Sequence, residues 1–195
     1  MAATGILKQK KIVSGVFVVR TSRLTMWIMS ALFAALTGVL SQIAVPLGPV
    51  PFNLATMSVL MAGGLLGPRY GALSMALYIA MGTAGLPVFS LMRGGPAMLV
   101  GPTGGYIVGY LPAALLTGLI IRHIGGSHPP LVAAMAAGQT VCYLLGTIWY
   151  MLLTHTGPMA ALALCVAPFL IGDALKIALG SFLVRRLAPI SKITA

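Results

Sequence analysis

The sequence has almost no negatively charged side chains. Asp173 is the only acidic residue among 195, and only 7% of the residues are charged, whereas 59% are hydrophobic. Soluble domains carry about a quarter charged residues, so this composition indicates an integral membrane protein. No charged residue lies between Arg23 and Arg69. A second such run extends from Arg122 to Asp173, and together the two runs leave room for several membrane spans of about 20 residues each.

Cysteine and histidine are also scarce, which argues against several kinds of site. Cys142 and Cys165 both lie in apolar stretches without C-x-x-C spacing, so neither a disulfide framework nor a metal knuckle is indicated. The three histidines lack the carboxylate or thiol neighbours that a metal site needs. A Ser–His–Asp arrangement is not plausible, because the only aspartate already has Lys176 as its neighbour. We therefore expect no metal, no cofactor and no enzymatic activity.

The sequence also lacks the elements of a nucleotide-driven pump. The segment GPTGGY at 101–106 is rich in glycine but lacks the Lys-Ser/Thr of a phosphate-binding loop. There is no room for a nucleotide-binding domain beside the apolar segments. The chain therefore cannot power transport by hydrolysing ATP itself.

Positive charge is plentiful by comparison, with a net charge of +11. Nucleic acid is the usual partner of a strongly basic protein, but 12 lysines and arginines on so apolar a chain do not form a basic surface. The positive-inside rule explains them better, because lysine and arginine hold loops on the cytoplasmic side. Ten of the 12 fall in segments that six crossings with a cytoplasmic N-terminus would place inside. These ten are Lys8, Lys10, Lys11, Arg20, Arg23, Arg69, Arg122, Arg185, Arg186 and Lys192.

The apolar pattern predicts an all-α integral membrane protein: a six-helix bundle with both termini cytoplasmic and a ligand pocket in the outer half. The predicted helices cover about 24–44, 52–66, 72–84, 106–121, 131–153 and 168–187. The second and third are short for a bilayer. They are either a thin helical hairpin inside the bundle or two helices whose ends extend into the loops. Residues 158–167 are expected to form a short cap over the bundle.

Three regions follow from this topology. Residues 1–23 are a basic cytoplasmic segment, because their apolar run IVSGVFVV is too short to span and no small-residue cleavage site follows it. Residues 24–187 form the six-helix membrane domain, and 188–195 form a cytoplasmic tail. The expected location is the cell membrane, with the chain crossing the bilayer several times.

Asp173 and Lys176 are the only ionisable residues that this topology places inside a span. They share one face of the sixth helix because they are three residues apart. Each charge costs about 2.5–3.5 kcal/mol at a helix centre, so such residues usually have a function. The pair could instead neutralise itself and lock helix packing. An ion-coupling role for the carboxylate is less suitable, because the lysine already stabilises its charged form. A polar ligand suits both groups.

Two further features of the sequence each have two possible interpretations. Arg93 is the only cation predicted on the outer side, and it is either a partner for an anionic ligand group or an ordinary solvated loop residue. The first helix carries a row of small residues, which serves either internal packing or docking of another membrane protein. The row consists of Ala31, Ala34, Ala35, Gly38 and Ser41.

Six segments in order resemble the BioY family, the biotin-specific substrate-capture (S) components of energy-coupling-factor transporters. They are LGPVPFNLAT at 47–56, AGGLLGPRYGAL at 62–73, AGLPVF at 84–89, GPTGGYIVGY at 101–110, GQTVCYLLGTIWY at 138–150 and APFLIGDALKIAL at 167–179. The resemblance covers about residues 30–187 and leaves the first 23 outside. It implies a six-helix membrane protein that captures biotin from the outer side. It also implies a transmembrane coupling (T) protein and two cytoplasmic ATPases as partners.

The resemblance also assigns roles to residues. It implies that Gly172, Asp173 and Lys176 form a ligand-binding element, and that Ala31 and Ala35 meet the coupling protein. The segment after PVPF resembles Thr-Leu-Gln-Thr in the family. Here it reads Asn-Leu-Ala-Thr, so a glutamine contact is absent, and we keep Asn53 as a binding candidate.

Biotin has a ureido ring with two N–H groups and one carbonyl, and its tail ends in a carboxylate. The expectation is that Asp173 accepts a ureido N–H, Lys176 donates to the ureido oxygen and Arg93 meets the tail carboxylate. In the alternative, Lys176 holds the carboxylate and Arg93 is uninvolved. Tyr143 and Trp149 are expected to wall the pocket, although Trp149 is equally suited to anchor the membrane interface. The alternative function is a stand-alone secondary carrier or facilitator coupled through Asp173.

Overall fold

The computed structural model describes residues 23–124 and 128–191. Most of the predicted basic N-terminal segment therefore lies outside the described residues, and so do residues 192–195 of the predicted tail. The cytoplasmic placement of Lys8, Lys10, Lys11, Arg20 and Lys192 stays a prediction.

Helices dominate the described part of the chain. In chain order the elements are α1 (Arg23–Gln42), β1 (Ala44–Val45), β2 (Phe52–Asn53), α2 (Ala55–Thr83), α3 (Ala97–Val100), α4 (Gly104–Ile124), α5 (His128–Thr154), α6 (Pro158–Cys165) and α7 (Leu170–Ser191). Four segments, 23–42, 104–124, 129–154 and 158–187, are long and apolar enough to cross a bilayer. The predicted helical bundle is confirmed, with the second and third predicted helices joined in α2.

The α2 segment is a bent element and not one straight helix. Gly67 interrupts it with φ 75° and ψ −178°, a conformation that strains any residue with a Cβ, and Pro68 follows. A Cβ on Gly71 would lie 2.9 Å from the Cα of Gly63, whereas eight residues of one helix would separate the two by about 12 Å. The chain therefore folds back on itself at Gly67, and the two arms touch at this glycine pair.

This arrangement is the predicted helical hairpin, and it lies inside the bundle. The arms, 55–66 and 68–83, reach only about 18 and 24 Å as helices, less than a bilayer core of about 30 Å. Gly118 of α4 lets that helix approach the turn, since a Cβ there would lie 2.5 Å from the nitrogen of Pro68. Burial of the arms against α1, α4 and α7 lets half-length helices persist in this fold.

The connection between α1 and α2 contains a small β-hairpin that the apolar pattern did not predict. Strands β1 and β2 pair antiparallel, with Ala44 opposite Asn53 and Val45 opposite Phe52. The segment between them is rich in proline, which cannot donate to a ladder but suits turns. The pairing fixes the direction in which Phe52 and Asn53 enter the bundle.

The end of the chain departs slightly from prediction. The predicted short segment before the last helix is present as α6, but α7 begins at Leu170, not at Pro168. Pro168 lies in a single 3₁₀ turn, Ala167–Phe169, which leads into α7. As a result Asp173 lies in the first turn of α7, where the helix dipole favours a negative charge.

Candidate ligand-binding site

The centre of the site is an ion pair on α7. Asp173 and Lys176 are 5% and 6% exposed, and the Oδ1–Nζ distance is 2.6 Å. Their i, i+3 spacing brings the two groups together on one helix, as predicted. Two buried charges persist in an apolar bundle only when they are paired and hydrogen-bonded, and the surrounding helices provide the remaining partners.

Two residues of α5 hold the second oxygen of the carboxylate. Gln139 Nε2 donates to Asp173 Oδ2 at 2.7 Å, and the Tyr143 hydroxyl donates to the same atom. Gln139 and Tyr143 are four residues apart, so they lie on one face of α5. Tyr143 was a predicted site residue. Gln139 was not a predicted site residue. The feature of the sequence that could have indicated it is a glutamine in an apolar helix, four residues before a tyrosine.

The ammonium of Lys176 is held by the start of the α2 segment. The Asn53 carbonyl accepts a hydrogen bond from Nζ, and Thr56 Oγ1 is a weaker partner at 3.4 Å. Nζ also lies 3.7 Å from the centroid of the Phe52 ring, within cation–π range. Lys176 is therefore bound on several sides by protein groups.

Gly172 has a packing role in this arrangement. A Cβ at Gly172 would collide with the Phe52 ring, which also stacks on Phe169 at a centroid distance of 5.9 Å. The absence of a side chain on α7 thus lets Phe52 lie against the helix next to Lys176. This contact explains why a glycine precedes the charged pair.

A cavity of about 280 Å³ opens beside the pair. Seven aromatic residues contribute to its walls: Phe52, Tyr78, Phe89, Tyr106, Tyr110, Tyr143 and Phe169. Its polar lining consists of Asn53, Thr56, Ser90, Arg93, Thr103, Gln139, Asp173 and Lys176. An apolar pocket with a few converging polar groups is the usual form of a small-molecule site.

The loop after α2 forms an exposed rim of the cavity. Arg93 lines the cavity and is exposed. Within 23–124 and 128–191 it forms no ion pair, because the pair on α7 is the only one there. Leu91 and Met92 both have positive φ, 62° and 57°, which is uncommon for residues other than glycine. Five of the six predicted site residues therefore line one cavity: Asn53, Arg93, Tyr143, Asp173 and Lys176.

Gln42, the last residue of α1, holds this rim loop in place. Its Oε1 accepts the backbone N–H of Met92 at 2.9 Å, and its Nε2 lies 3.2 Å from the carbonyl of Phe89 and 3.3 Å from that of Pro87. The neighbouring Ser41 donates to the Val88 carbonyl at 2.5 Å. Two side chains of α1 thus fix the loop that carries Arg93. No sequence pattern had indicated Gln42.

The side chain of Asn53 is occupied by neighbouring protein groups. Its Nδ2 donates to Ser90 Oγ at 2.6 Å, and its Oδ1 accepts the N–H of Ala55 at 2.9 Å. The second bond satisfies one of the free N–H groups at the start of α2. Asn53 therefore lines the cavity while tying β2 to the rim loop.

Trp149 does not line the cavity, contrary to the prediction that it walls the pocket. It lies on a different face of α5, and its indole N–H donates to the carbonyl of Gly101 at 3.0 Å. Six residues on an ideal helix correspond to about 600°, so Tyr143 and Trp149 point in directions about 120° apart. Its position accords with the alternative of an interface anchor.

The small residues of α1 divide between two faces, although the sequence analysis placed them on one side. Ala34, Gly38 and Ser41 are buried against the bundle, whereas Ala31 and Ala35 are exposed. Large apolar residues are exposed on the same helix, among them Ile28, Leu32, Leu36 and Val39. The two alanines predicted to meet a coupling protein are therefore accessible in this structure.

Comparison with known proteins gives a consistent result. The sequence model of the BioY family matches residues 9–192. The chain belongs to the BioY family. The match begins before residue 23, so the prediction that the first 23 residues lie outside the resemblance was wrong.

Relatives and a solved structure agree with this assignment. The chain is 40% identical over 157 residues to the probable biotin transporter BioY of Pyrococcus horikoshii, covering 80% of this chain and 92% of the relative. It is 36% identical over 160 residues to the biotin transporter BioY of Thermotoga maritima, covering 82% and 94%. The fold matches the crystal structure of an S-component for biotin from an ECF-type ABC transporter. The TM-score is 0.79 and the identity 32%, over 85% of this chain and 92% of the other.

Proposed function

We propose that this protein is the biotin-binding S component of an ECF-type transporter, a multi-pass protein of the plasma membrane that captures the vitamin for import. Family membership over residues 9–192 and the likeness to an S-component for biotin support this function. Its role is binding and transport, not catalysis. The observation that carries the site assignment is the buried Asp173–Lys176 pair beside an aromatic cavity.

The chemistry of the cavity suits a neutral cyclic urea at its buried end. Lys176 has three N–H groups, and the one that makes only the weak 3.4 Å contact with Thr56 can turn to a ureido oxygen. Asp173 can accept an N–H. The aromatic walls suit the thiophane ring and the aliphatic tail of biotin. The volume of about 280 Å³ lies just below the roughly 300–1,000 Å³ found for ligand pockets, which suits a small vitamin.

The exposed rim suits the other end of the ligand. Arg93 lines the cavity without an ion pair to another described residue, so its guanidinium is available for the tail carboxylate. Lys176 is less available for a carboxylate, because Asp173 and the Asn53 carbonyl already hold it. This difference favours Arg93 for the tail and Lys176 for the ring.

The expected partners are a transmembrane coupling protein and two cytoplasmic ATPases, since the chain is proposed to be an S component. The exposed Ala31 and Ala35 on α1 support a docking face for the coupling protein, because small side chains let another helix approach closely. The flanking exposed Leu32 and Leu36 would add apolar contact area.

A stand-alone carrier coupled through Asp173 is less well supported. A carboxylate that relays a proton must lose its partners in part of the cycle, and this carboxylate has three donors: Lys176, Gln139 and Tyr143. Uptake by the lone protein in liposomes that follows an imposed proton gradient would favour this alternative.

The decisive experiment is binding of labelled biotin to the purified protein, with other vitamins as competitors. We expect saturable binding that unlabelled biotin displaces and unrelated vitamins do not. The variant Thr140→Ala is a suitable control, because Thr140 is exposed on α5 and its hydroxyl bonds only within its own helix. Absence of saturable binding in wild type and control would reject the proposal.

A further inference from the structure

We propose that Gln139 is a direct ligand contact, and that its side-chain oxygen accepts one of the two N–H groups of a bound cyclic urea. This inference deepens the proposed function and rests on it. It assigns a specificity role to a residue that no sequence pattern singled out.

The orientation of the Gln139 amide follows from its partner. Nε2 lies 2.7 Å from Asp173 Oδ2. An ionised carboxylate only accepts hydrogen bonds, so the amide must turn its NH₂ group towards Asp173. The side-chain oxygen Oε1 consequently points away from Asp173, and the choice between the two amide orientations is made by chemistry.

The oxygen left over by this orientation has no partner in the described part of the chain. Gln139 itself is 5% exposed and lines the cavity. Within residues 23–124 and 128–191, the only fully enclosed side-chain N or O atom without a hydrogen bond is Ser74 Oγ. Because Oε1 is not among the fully enclosed atoms, it has accessible surface. Gln139 lines the cavity, so we infer that this surface faces the cavity. A nearly buried acceptor that faces a cavity without a partner calls for a donor on the ligand.

The number of hydrogen bonds that Asp173 already accepts supports the same assignment. A carboxylate has about four lone-pair positions, and three are used by Lys176, Gln139 and Tyr143. One position remains, which is enough for one N–H but not for two. A cyclic urea carries two N–H groups. Gln139 Oε1 belongs to the same amide group whose nitrogen bonds Asp173, so it lies next to the carboxylate as a second acceptor. The two acceptors together match the two donors.

The test uses two analogues of biotin in which one ring N–H or the other is replaced by an oxygen atom, which gives a cyclic carbamate of the same ring size. Binding of biotin and both analogues is measured on purified wild type, Gln139→Leu, Gln139→Met and Tyr143→Phe. Tyr143→Phe is the matched control, because it too removes a donor to Asp173 Oδ2 but leaves Gln139 Oε1 in place. Two Gln139 variants are used so that one remains if the other fails to fold.

We expect one analogue to bind wild type and Tyr143→Phe about tenfold or more weakly than biotin, because it leaves Oε1 facing an oxygen. In the Gln139 variants the same analogue should lose less than about threefold relative to biotin, since the acceptor is gone. Equal losses in all four proteins would overturn the proposal, as would analogues that bind wild type as tightly as biotin. If wild type does not bind biotin at all, the proposed function fails instead.

Discussion

The two ends of the cavity differ in how their polar groups are satisfied. At the buried end, the carboxylate of Asp173 and the ammonium of Lys176 are held by side chains and backbone from α5, α7 and β2. At the exposed end, Arg93 has no ion-pair partner among the described residues. Its loop contains two residues with positive φ, Leu91 and Met92, and Gln42 accepts the N–H of Met92. At the buried end the two charges are paired before the ligand arrives, whereas the exposed end offers an unpaired charge.

Solvation explains this difference. A charge in an apolar bundle must be paired within the protein, because no water is available to stabilise it. A charge at an exposed rim is stabilised by water until a ligand replaces that water. The buried end is therefore suited to selecting the shape and hydrogen-bonding groups of a ligand, whereas the rim is suited to attracting and retaining it.

The largest effect on biotin affinity is predicted for Asp173→Asn, at the buried end of the cavity. This change leaves Lys176 without its counter-charge and replaces one of the two oxygens that together accept three hydrogen bonds by an NH₂ donor. Because a lone buried charge disturbs the whole arrangement, we expect biotin affinity to fall by about 100-fold or more. Titration of purified protein with biotin would measure it, and unchanged affinity would remove Asp173 from the site.

A reversed pair, Asp173→Lys with Lys176→Asp, separates binding from simple charge neutralisation. The reversed pair keeps the net charge of the two positions at zero, so we expect membrane insertion close to wild type, checked by the amount of folded protein in membranes. Biotin binding should still be lost, because donors and acceptors have exchanged places. Wild-type binding by the reversed pair would mean that the charges serve packing alone.

A smaller effect is expected at the rim with Arg93→Ala. Loss of one charge-assisted contact in a partly solvated position should weaken biotin binding by about tenfold. A tail amide of biotin should lose affinity for wild type but very little for Arg93→Ala, because the carboxylate partner is already absent. Equal losses in both proteins would indicate that Arg93 does not meet the tail.

A weaker effect again is expected from Gln42→Leu, which frees the rim loop without changing the cavity lining. Loss of the bonds to Met92 and Phe89 should let the loop open more often, so biotin should dissociate about three- to tenfold faster. Stopped-flow or filter-binding kinetics would measure the rate, with Thr140→Ala as the control. A rate equal to that of the control would show that Gln42 does not govern release.

The smallest effect is predicted for Trp149→Phe. Trp149 lies outside the cavity lining, so biotin affinity should stay within about twofold of wild type. A modest fall in melting temperature is expected from loss of the bond to the Gly101 carbonyl. A large loss of affinity with an unchanged melting temperature would contradict the position found for this side chain.

Local features of this molecule could be predicted, and long-range contacts could not. Apolar periodicity, glycine and proline indicated the helical bundle and the hairpin at Gly67, because these depend on residues close in the chain. The Asp173–Lys176 pair follows from i, i+3 spacing. The bond between Lys176 and the Asn53 carbonyl joins residues 123 positions apart, and Gln139 reaches Asp173 across 34. No periodicity encodes such contacts, so Gln139, Gln42 and the β1–β2 pairing were missed.

The spacing of Asp173 and Lys176 on a single helix also bears on how the protein is made. The two charges can neutralise each other as soon as the second turn of α7 forms, before any other element has packed against it. The last spanning segment can therefore enter the bilayer with Asp173 and Lys176 already neutralising each other. Gln139, Tyr143 and Asn53 can reach it only after α5 and β2 have docked. Biotin binding would then appear only once the whole bundle is assembled, which makes it a natural readout of complete folding.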